Sequence, residues 1–255
     1  MNNMSAHKVT ISPDTQAQLE QLCAELQLPI SWETLLDQGN YARQQQMSHE
    51  NYLTHILNEV WQEKTTRRTE RRIKEAHFPF CKTLEHFDFS QSPHLPETRI
   101  RALAEHGYIQ KAEAVLLVGE PGTGKTHIAI ALGYLAAQAG YRVKFITLAN
   151  LATQLKEAKD HHRLSMLIKR YAQVDLLILD ELGYTPLCKT DAELVFQVLG
   201  ERQERKPVIV TTNLPFSEWT NVFTDPRLCK AILDRLIHHA HIIETGNDSA
   251  RLATK

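Results

Sequence analysis

Val115-Leu116-Leu117-Val118-Gly119-Glu120-Pro121-Gly122-Thr123-Gly124-Lys125-Thr126 is a short apolar run that enters a glycine-rich turn and ends in Lys-Thr. From Gly119 the spacing is G-x-x-x-x-G-K-[ST], set between a strand and the start of a helix, which is the context its mechanism requires. The glycines let backbone N–H groups close around phosphate oxygens, and the following helix adds the positive end of its dipole. Lys125 is placed to reach the β- and γ-phosphates, and the Thr126 hydroxyl to ligate Mg²⁺. The run Gly119, Glu120, Pro121, Gly122, Thr123, Gly124, Lys125, Thr126 and His127 is therefore the candidate ATP site, with ATP and Mg²⁺ as the implied cofactors.

Outward from this run the C-terminal two thirds alternate apolar stretches with helical ones. Of the runs Val115–Val118, Val143–Ile146, Leu176–Leu179, Val208–Thr211 and a weaker Ile242–Glu244, most are continuously hydrophobic, as strands covered on both faces of a parallel sheet are. Helical patterns at Lys125–Gln138, Leu148–Ala158, Leu164–Ala172 and Ala192–Glu204 separate them. The expected fold class is α/β, a parallel sheet flanked by helices.

Leu176–Leu179 ends in Asp180-Glu181. With a phosphate-binding loop upstream, Asp180 belongs beside the metal, and Glu181 is the candidate general base that activates water at the γ-phosphate. Alone, two such acids would equally suit a polar loop start. Val208–Thr211 leads to Thr212-Asn213, where Asn213 either orients that water or caps the next segment. Further on, Arg235 and, after it, Arg227 are candidates for an arginine that reaches a neighbouring subunit's γ-phosphate. The alternative is a surface ion pair with the adjacent Asp234 or Asp225.

The first third is helical by pattern. Ser12-Pro13 reads as an N-cap and first helical residue, followed by Leu19, Leu22, Cys23 and Leu26 on one face. A helix around Trp32–Gln45 follows. From Ser48 a stripe of Tyr52, Leu53, Ile56, Leu57, Val60 and Trp61 leads into the charged stretch Lys64–Lys74. Residues 1–76 are expected to form a helical domain for DNA or partner contacts and oligomerisation. Residues 77–255 are expected to form the ATPase domain, with 77–110 as a connector rich in aromatics and prolines.

A net charge of −1 gives no global electrostatic case for nucleic acid. Locally, Lys64, Arg67, Arg68, Arg71, Arg72 and Lys74 face only Glu70, and Arg67, Arg68, Arg71 and Arg72 share one side of a helix. Arg67, Arg68, Arg71, Arg72 and Lys74 are the candidate DNA contacts, suited to phosphates and blind to sequence, though a solvated helix face has the same composition. No apolar run is long enough for a membrane span, the start lacks a secretory layout, and Cys23, Cys81, Cys188 and Cys229 are scattered, so a cytoplasmic location is expected. His161-His162 and His238-His239 with His241 lack the partners of a four-ligand metal site.

These residues together resemble the IstB family of AAA+ ATPases, the helper proteins of an insertion-sequence transposition system and relatives of the DnaC helicase loader and the DnaA initiator. The resemblance runs through Arg72–Pro79, Thr83–Phe89, the phosphate loop with His127–Gly133, Leu179–Tyr184, Thr212–Trp219 and Leu233–Leu236 with His238-His239. It implies an ATP-dependent homo-oligomer on duplex DNA with little sequence preference, which recruits or stimulates a cognate transposase. It also implies the sensor 1 role for Asn213 and a trans-acting arginine, with Arg235 as first choice and Arg227 as second. The family usually ends in Gly-x-Ser-Tyr-Arg, whereas Gly246–Arg251 has an extra residue and no Tyr, leaving Arg251 as a sensor-2-like candidate. The competing expectations are a DnaC-like helicase loader acting on single-stranded DNA, and a scaffold that binds ATP only to hold an oligomer together. Glu181 argues against the scaffold, which has no need of a general base.

Overall fold

A computed structural model of the chain describes residues 11–92 and 94–246. Its contacts divide it into two compact units, residues 1–70 and 71–255.

The first unit is built on α1 (Pro13–Glu25), α2 (Trp32–Gln44) and the start of α3 (His49–Ala76). Ser12 and Ser31 cap α1 and α2 by accepting from the backbone N–H of Thr15 and Thr34, and Pro13 opens α1 as the sequence suggests. Within this unit His55 bonds to Gln38 at 2.8 Å and Arg67 donates to the Pro29 carbonyl at 3.2 Å. The apolar stripes do not become a core. Among the described residues α1 buries none, and Leu22, Leu26, Leu53, Leu57 and Trp61 are exposed. A helical period shows which residues share a face, but not whether anything covers it.

The second unit takes in the last turns of α3, where Ile73 and Ala76 join a core cluster. It therefore begins earlier in the chain than the change of composition suggests. After a connector with a short 3₁₀ turn at Phe89–Gln91 come α4 (Glu97–Leu103) and α5 (Gly107–Gln110), two short helices without a readable period in sequence. The core then runs β1 (Val115–Val118), α6 (Lys125–Gln138), β2 (Val143–Thr147), α7 (Leu148–Asp160), α8 (Leu164–Gln173), β3 (Leu176–Leu182), α9 (Lys189–Arg202), β4 (Val208–Thr212), α10 (Pro226–Ile237) and β5 (His241–Glu244).

All strand pairs are parallel, in the order β2-β3-β4-β1-β5. Alternate strand residues feed opposite faces, as the pleat requires. Leu116, Leu177, Leu179 and Val210 pack with α7, α9 and α10, whereas Val115, Leu117, Ile178 and Ile209 pack with α6 and the connector. This is why the strands read as unbroken apolar runs. Helix α6 has Ile128, Ala129, Ile130, Ala131 and Leu132 fully buried, so it is a central helix rather than a surface one. Among the described residues no helix is long and apolar enough to cross a membrane.

The sheet order positions the site. Because β4 lies between β1 and β3, the C-terminal ends of these three strands converge, carrying the phosphate loop, Asp180-Glu181 and Thr211-Thr212-Asn213 to one edge.

Candidate nucleotide site

The loop after β1 is tied to its neighbouring strands. Gly119 N donates to Thr212 O at 3.2 Å, and Glu120 N donates to Gly246 O at 3.2 Å. Thr123 and Thr245 are nearly fully buried and bond to each other through their hydroxyls, while Thr245 N donates to Val118 O at 2.7 Å. The end of β5 thus buttresses the turn. Gly124, the residue before α6, has φ 89°, and a Cβ there would sit 2.6 Å from the Phe87 ring. Both the backbone and the overlying ring therefore require glycine.

Lys125 is 9% exposed, and its ammonium donates to the carbonyls of Gly119 (2.6 Å) and Glu120 (2.7 Å). The loop thereby holds a cation at its own mouth. Thr126 Oγ1 donates to Asp180 Oδ1 at 2.9 Å, bringing the two expected metal ligands together. A hydroxyl and a buried carboxylate are hard oxygen donors. They suit Mg²⁺, which takes few protein ligands and fills its octahedron with phosphate oxygens and water.

Asp180, 4% exposed, is also bonded by the Thr211 hydroxyl, and Thr211 Oγ1 in turn accepts from Glu181 N at 3.0 Å. At this point the β3–β4 register shifts, with Leu179 opposite Val210 but Leu182 opposite Thr212. The extra residue is a bulge, and Glu181 within it has φ 60°, in the left-handed region. Glu181 is exposed while Asp180 is buried.

These groups line a cleft of about 610 Å³, whose walls include Gly122 to His127, Asp180, Glu181, Phe145 and Thr147. The connector supplies the opposite wall with Phe80, Lys82, His86 and Phe87. His127 Nε2 bonds to the Thr83 carbonyl at 3.0 Å, and its ring stands edge-on to Phe87 at 4.9 Å. Burial, with the charges of Lys82 and His86 and against the Thr83 bond, lowers the His127 pKa and favours the neutral ring.

Asn213 and Arg235 do not line this cleft. Asn213 follows β4 and lies beside Gly183, its Oδ1 3.1 Å from where a Gly183 Cβ would be. The local cap after β4 is made by Thr212, whose Oγ1 accepts from Leu214 N at 3.1 Å. Arg235 is in the last turn of α10, just ahead of β5. That strand's first residue, His241, pairs with Val115 at the start of β1, so Arg235 is at the opposite end of the sheet from the phosphate loop. Arg235 does not pair with Asp234; its guanidinium stacks on Phe196, 3.7 Å from the ring centroid. Arg227 is exposed at the start of α10, and Arg251 lies outside the described residues.

Of the basic residues in α3, Arg67 pairs with Glu63 at 2.7 Å and Arg71 with Glu75 at 3.3 Å, all well exposed. Such pairs are worth only about 0.3–0.5 kcal/mol, so a phosphate can displace them. Arg72 is half-buried over Gly140, 3.1 Å from where a Cβ there would be, while Arg68 and Lys74 are exposed.

Thr211, Thr245, Thr83 and Phe87 are parts of the site that motif reading does not assign. For Thr211 a signal exists: a polar pair, Thr211-Thr212, ends an otherwise apolar strand and yet is buried.

A parallel sheet of this order, with a glycine-rich loop after β1 and paired acids at the end of β3, defines a P-loop nucleotide-binding protein of the AAA+ type. Within that class the chain belongs to the IstB-like ATP binding protein family, whose profile it matches over residues 21–255. It is 39% identical over 223 residues to the ATP-binding protein of insertion sequence IS21 from Pseudomonas aeruginosa, covering 88% of this chain and 83% of the relative. It is 36% identical to the IS5376 counterpart from Geobacillus stearothermophilus, covering 93% and 94%. Among solved structures, AMPPCP-bound DnaA from Aquifex aeolicus superposes with a TM-score of 0.55 at 22% identity over 66% of this chain and 51% of that one. The DnaC helicase loader gives 0.51 at 21% over 68% and 98%. The likeness to these two structures is one of fold.

Proposed function

We propose that this protein hydrolyses ATP with Mg²⁺ as a homo-oligomer on duplex DNA, and there recruits or stimulates the transposase of its insertion sequence. The observation that carries the hydrolytic part is the Asp180-Glu181 pair. Asp180 is buried and bonded to Thr126, where it would hold Mg²⁺ with the Thr126 hydroxyl, while the bulge turns Glu181 out to the cleft. One acid is thus committed to the metal and the other is available as general base. When bound, the metal would neutralise charge on the β- and γ-phosphates. Lys125 leaves the Gly119 and Glu120 carbonyls for those phosphates, and backbone N–H groups of the loop bind them. Asn213, just after β4 and beside the acid pair's loop but outside the cleft lining, takes the water-orienting role on the resemblance alone, and Arg235, remote from its own cleft, serves the nucleotide of an adjacent subunit.

The link to transposition is supported by family membership and by relatives named for insertion sequences. DNA binding is assigned to Arg67, Arg68, Arg71, Arg72 and Lys74, and the same resemblance supports it. Fluorescence anisotropy of random-sequence duplex and single-stranded DNA, with and without ATP, tests the reading, with Lys125→Ala as control. Duplex binding that requires ATP and is lost in the variant is the expected result. Preference for single strands would favour a helicase-loader function, and absence of DNA binding in every state would remove the DNA part of the proposal.

A further inference from the structure

Helix α9 contains a glycine that its own backbone does not need. Gly200 is helical, in the last turn, where alanine is the better helix former. What the glycine provides is space, because a Cβ there would lie 2.7 Å from Nη1 and 3.3 Å from Cζ of Arg235. One turn earlier, the Phe196 ring takes the same guanidinium on its face at 3.7 Å, and the Phe196 carbonyl accepts from Nη1 at 3.2 Å. A flat aromatic floor and a missing side chain, four residues apart on one helix, make a slot shaped for one planar cation.

The slot leaves the guanidinium chemically open. Stacking occupies its face and the Phe196 carbonyl takes one of five N–H donors, so in-plane donors remain for a bidentate oxyanion. Among the described residues no carboxylate forms an ion pair with it, and the side chain borders an open cleft of about 330 Å³. An arginine kept only to staple α10 to α9 would be better served by a carboxylate than by an aromatic face and a glycine gap.

We infer that Phe196 and Gly200 are positioning residues that hold Arg235 ready for the γ-phosphate of ATP bound to a neighbouring subunit. This rests on the trans role of Arg235 proposed above. Neither residue belongs to the phosphate loop or to the acid pair, and neither touches this chain's own nucleotide cleft.

Gly200→Ala is the informative variant, since the new methyl meets only the far end of a flexible side chain. The fold is expected to persist, and better helix propensity should leave Tm unchanged or raised by about 2–4 °C. DNA-stimulated ATPase is measured on full-length Arg235→Ala, Gly200→Ala, Phe196→Leu and Phe196→Tyr. Arg235→Ala should lower kcat on the order of 10³-fold, as loss of an arginine finger does. Gly200→Ala and Phe196→Leu should lower kcat by at least about tenfold, with KM for ATP within about twofold, and Phe196→Tyr, which keeps the π face, should recover most of it. Mixing Gly200→Ala with Glu181→Gln subunits should restore activity, because the second supplies a correctly held Arg235 to the first.

If Arg235→Ala keeps its kcat, the trans role fails and the inference falls with it. If Arg235→Ala is impaired but Gly200→Ala and Phe196→Leu are not, the trans role stands and the slot alone is refuted. A Gly200→Ala loss that tracks a lowered Tm and is not relieved by mixing would mean that Gly200 only packs two helices, which also overturns the inference.

Discussion

Thr211 joins the two acids of the site, and replacing it tests whether that joint matters. Its hydroxyl donates to Asp180 Oδ1 and accepts from Glu181 N, and the residue is 2% exposed. Thr211→Val preserves shape and removes both bonds. The lost bond to a buried carboxylate is worth about 1.5–3 kcal/mol. The bond from Glu181 N is between neutral groups and only partly buried, so its loss adds less. Thr126 still donates to Asp180 at 2.9 Å, so the carboxylate is not stripped bare. The expected destabilisation is about 2–3 kcal/mol, or roughly 4–12 °C in Tm for a chain of this size. Thr211→Ser keeps both bonds and loses only a buried methyl, at about 1 kcal/mol. Function should part from binding as well: kcat for ATP falls at least about tenfold in Thr211→Val, while nucleotide affinity, which the proposal assigns to Lys125 and the loop, changes less than about threefold. Calorimetry, nucleotide titration and steady-state ATPase on the two variants decide the matter. A Thr211→Val protein as stable and active as Thr211→Ser would refute the reasoning.

Three further outcomes follow from single geometries. Glu181 has φ 60°, so Glu181→Gly should be more stable than Glu181→Ala by about 1 kcal/mol in chemical denaturation, both lacking hydrolysis; an ordinary strand position would give the reverse order. Gly124→Ala adds a Cβ against Phe87 at φ 89° and should cost about 1–3 kcal/mol, partly recovered in Gly124→Ala/Phe87→Ala; a double-mutant cycle with no coupling would contradict the contact. Burial lowers the pKa of both His127 and His106, so the unfolded chain binds protons that the folded one refuses. Stability is then highest above the unfolded value of about 6.5 and declines as pH falls below it, so Tm at pH 6 should be lower than at pH 7.5, with a smaller difference in His127→Gln.

Sequence reading succeeds where the chemistry is contiguous. Gly119–Thr126 contains in one run its glycine turn, the Lys125 ammonium that the turn holds and the expected metal ligand Thr126, and a strand buried on both faces announces itself as an apolar run. It fails where a role depends on strand order. Thr245 reaches Thr123, and Phe87 reaches Gly124, only because β5 and the connector fold against the loop. The helical pattern of the first third is correct as secondary structure, yet Leu53, Leu57 and Trp61 share a face that stays exposed, since period alone does not name a partner. Spacing likewise put Arg72 beside Arg68 on α3, and only the fold lays Arg72 over Gly140.

The Asp180-Glu181 pair shows the difference most sharply. As consecutive residues of a strand, the two carboxylates should point to opposite faces of the sheet. A mechanism that needs both at one nucleotide conflicts with that rule, and the motif contains no sign of how the conflict is resolved. The structure resolves it with one extra residue in β3, a left-handed φ at Glu181 and a threonine from β4 that bonds to both members, so that both line one cleft. A left-handed non-glycine residue costs about 1–2 kcal/mol, and the Thr211 bonds are of the size needed to offset it. The bulge is therefore supported by Thr211, next to last in the adjacent strand, and the assignment of Glu181 as base depends on a residue about thirty positions away.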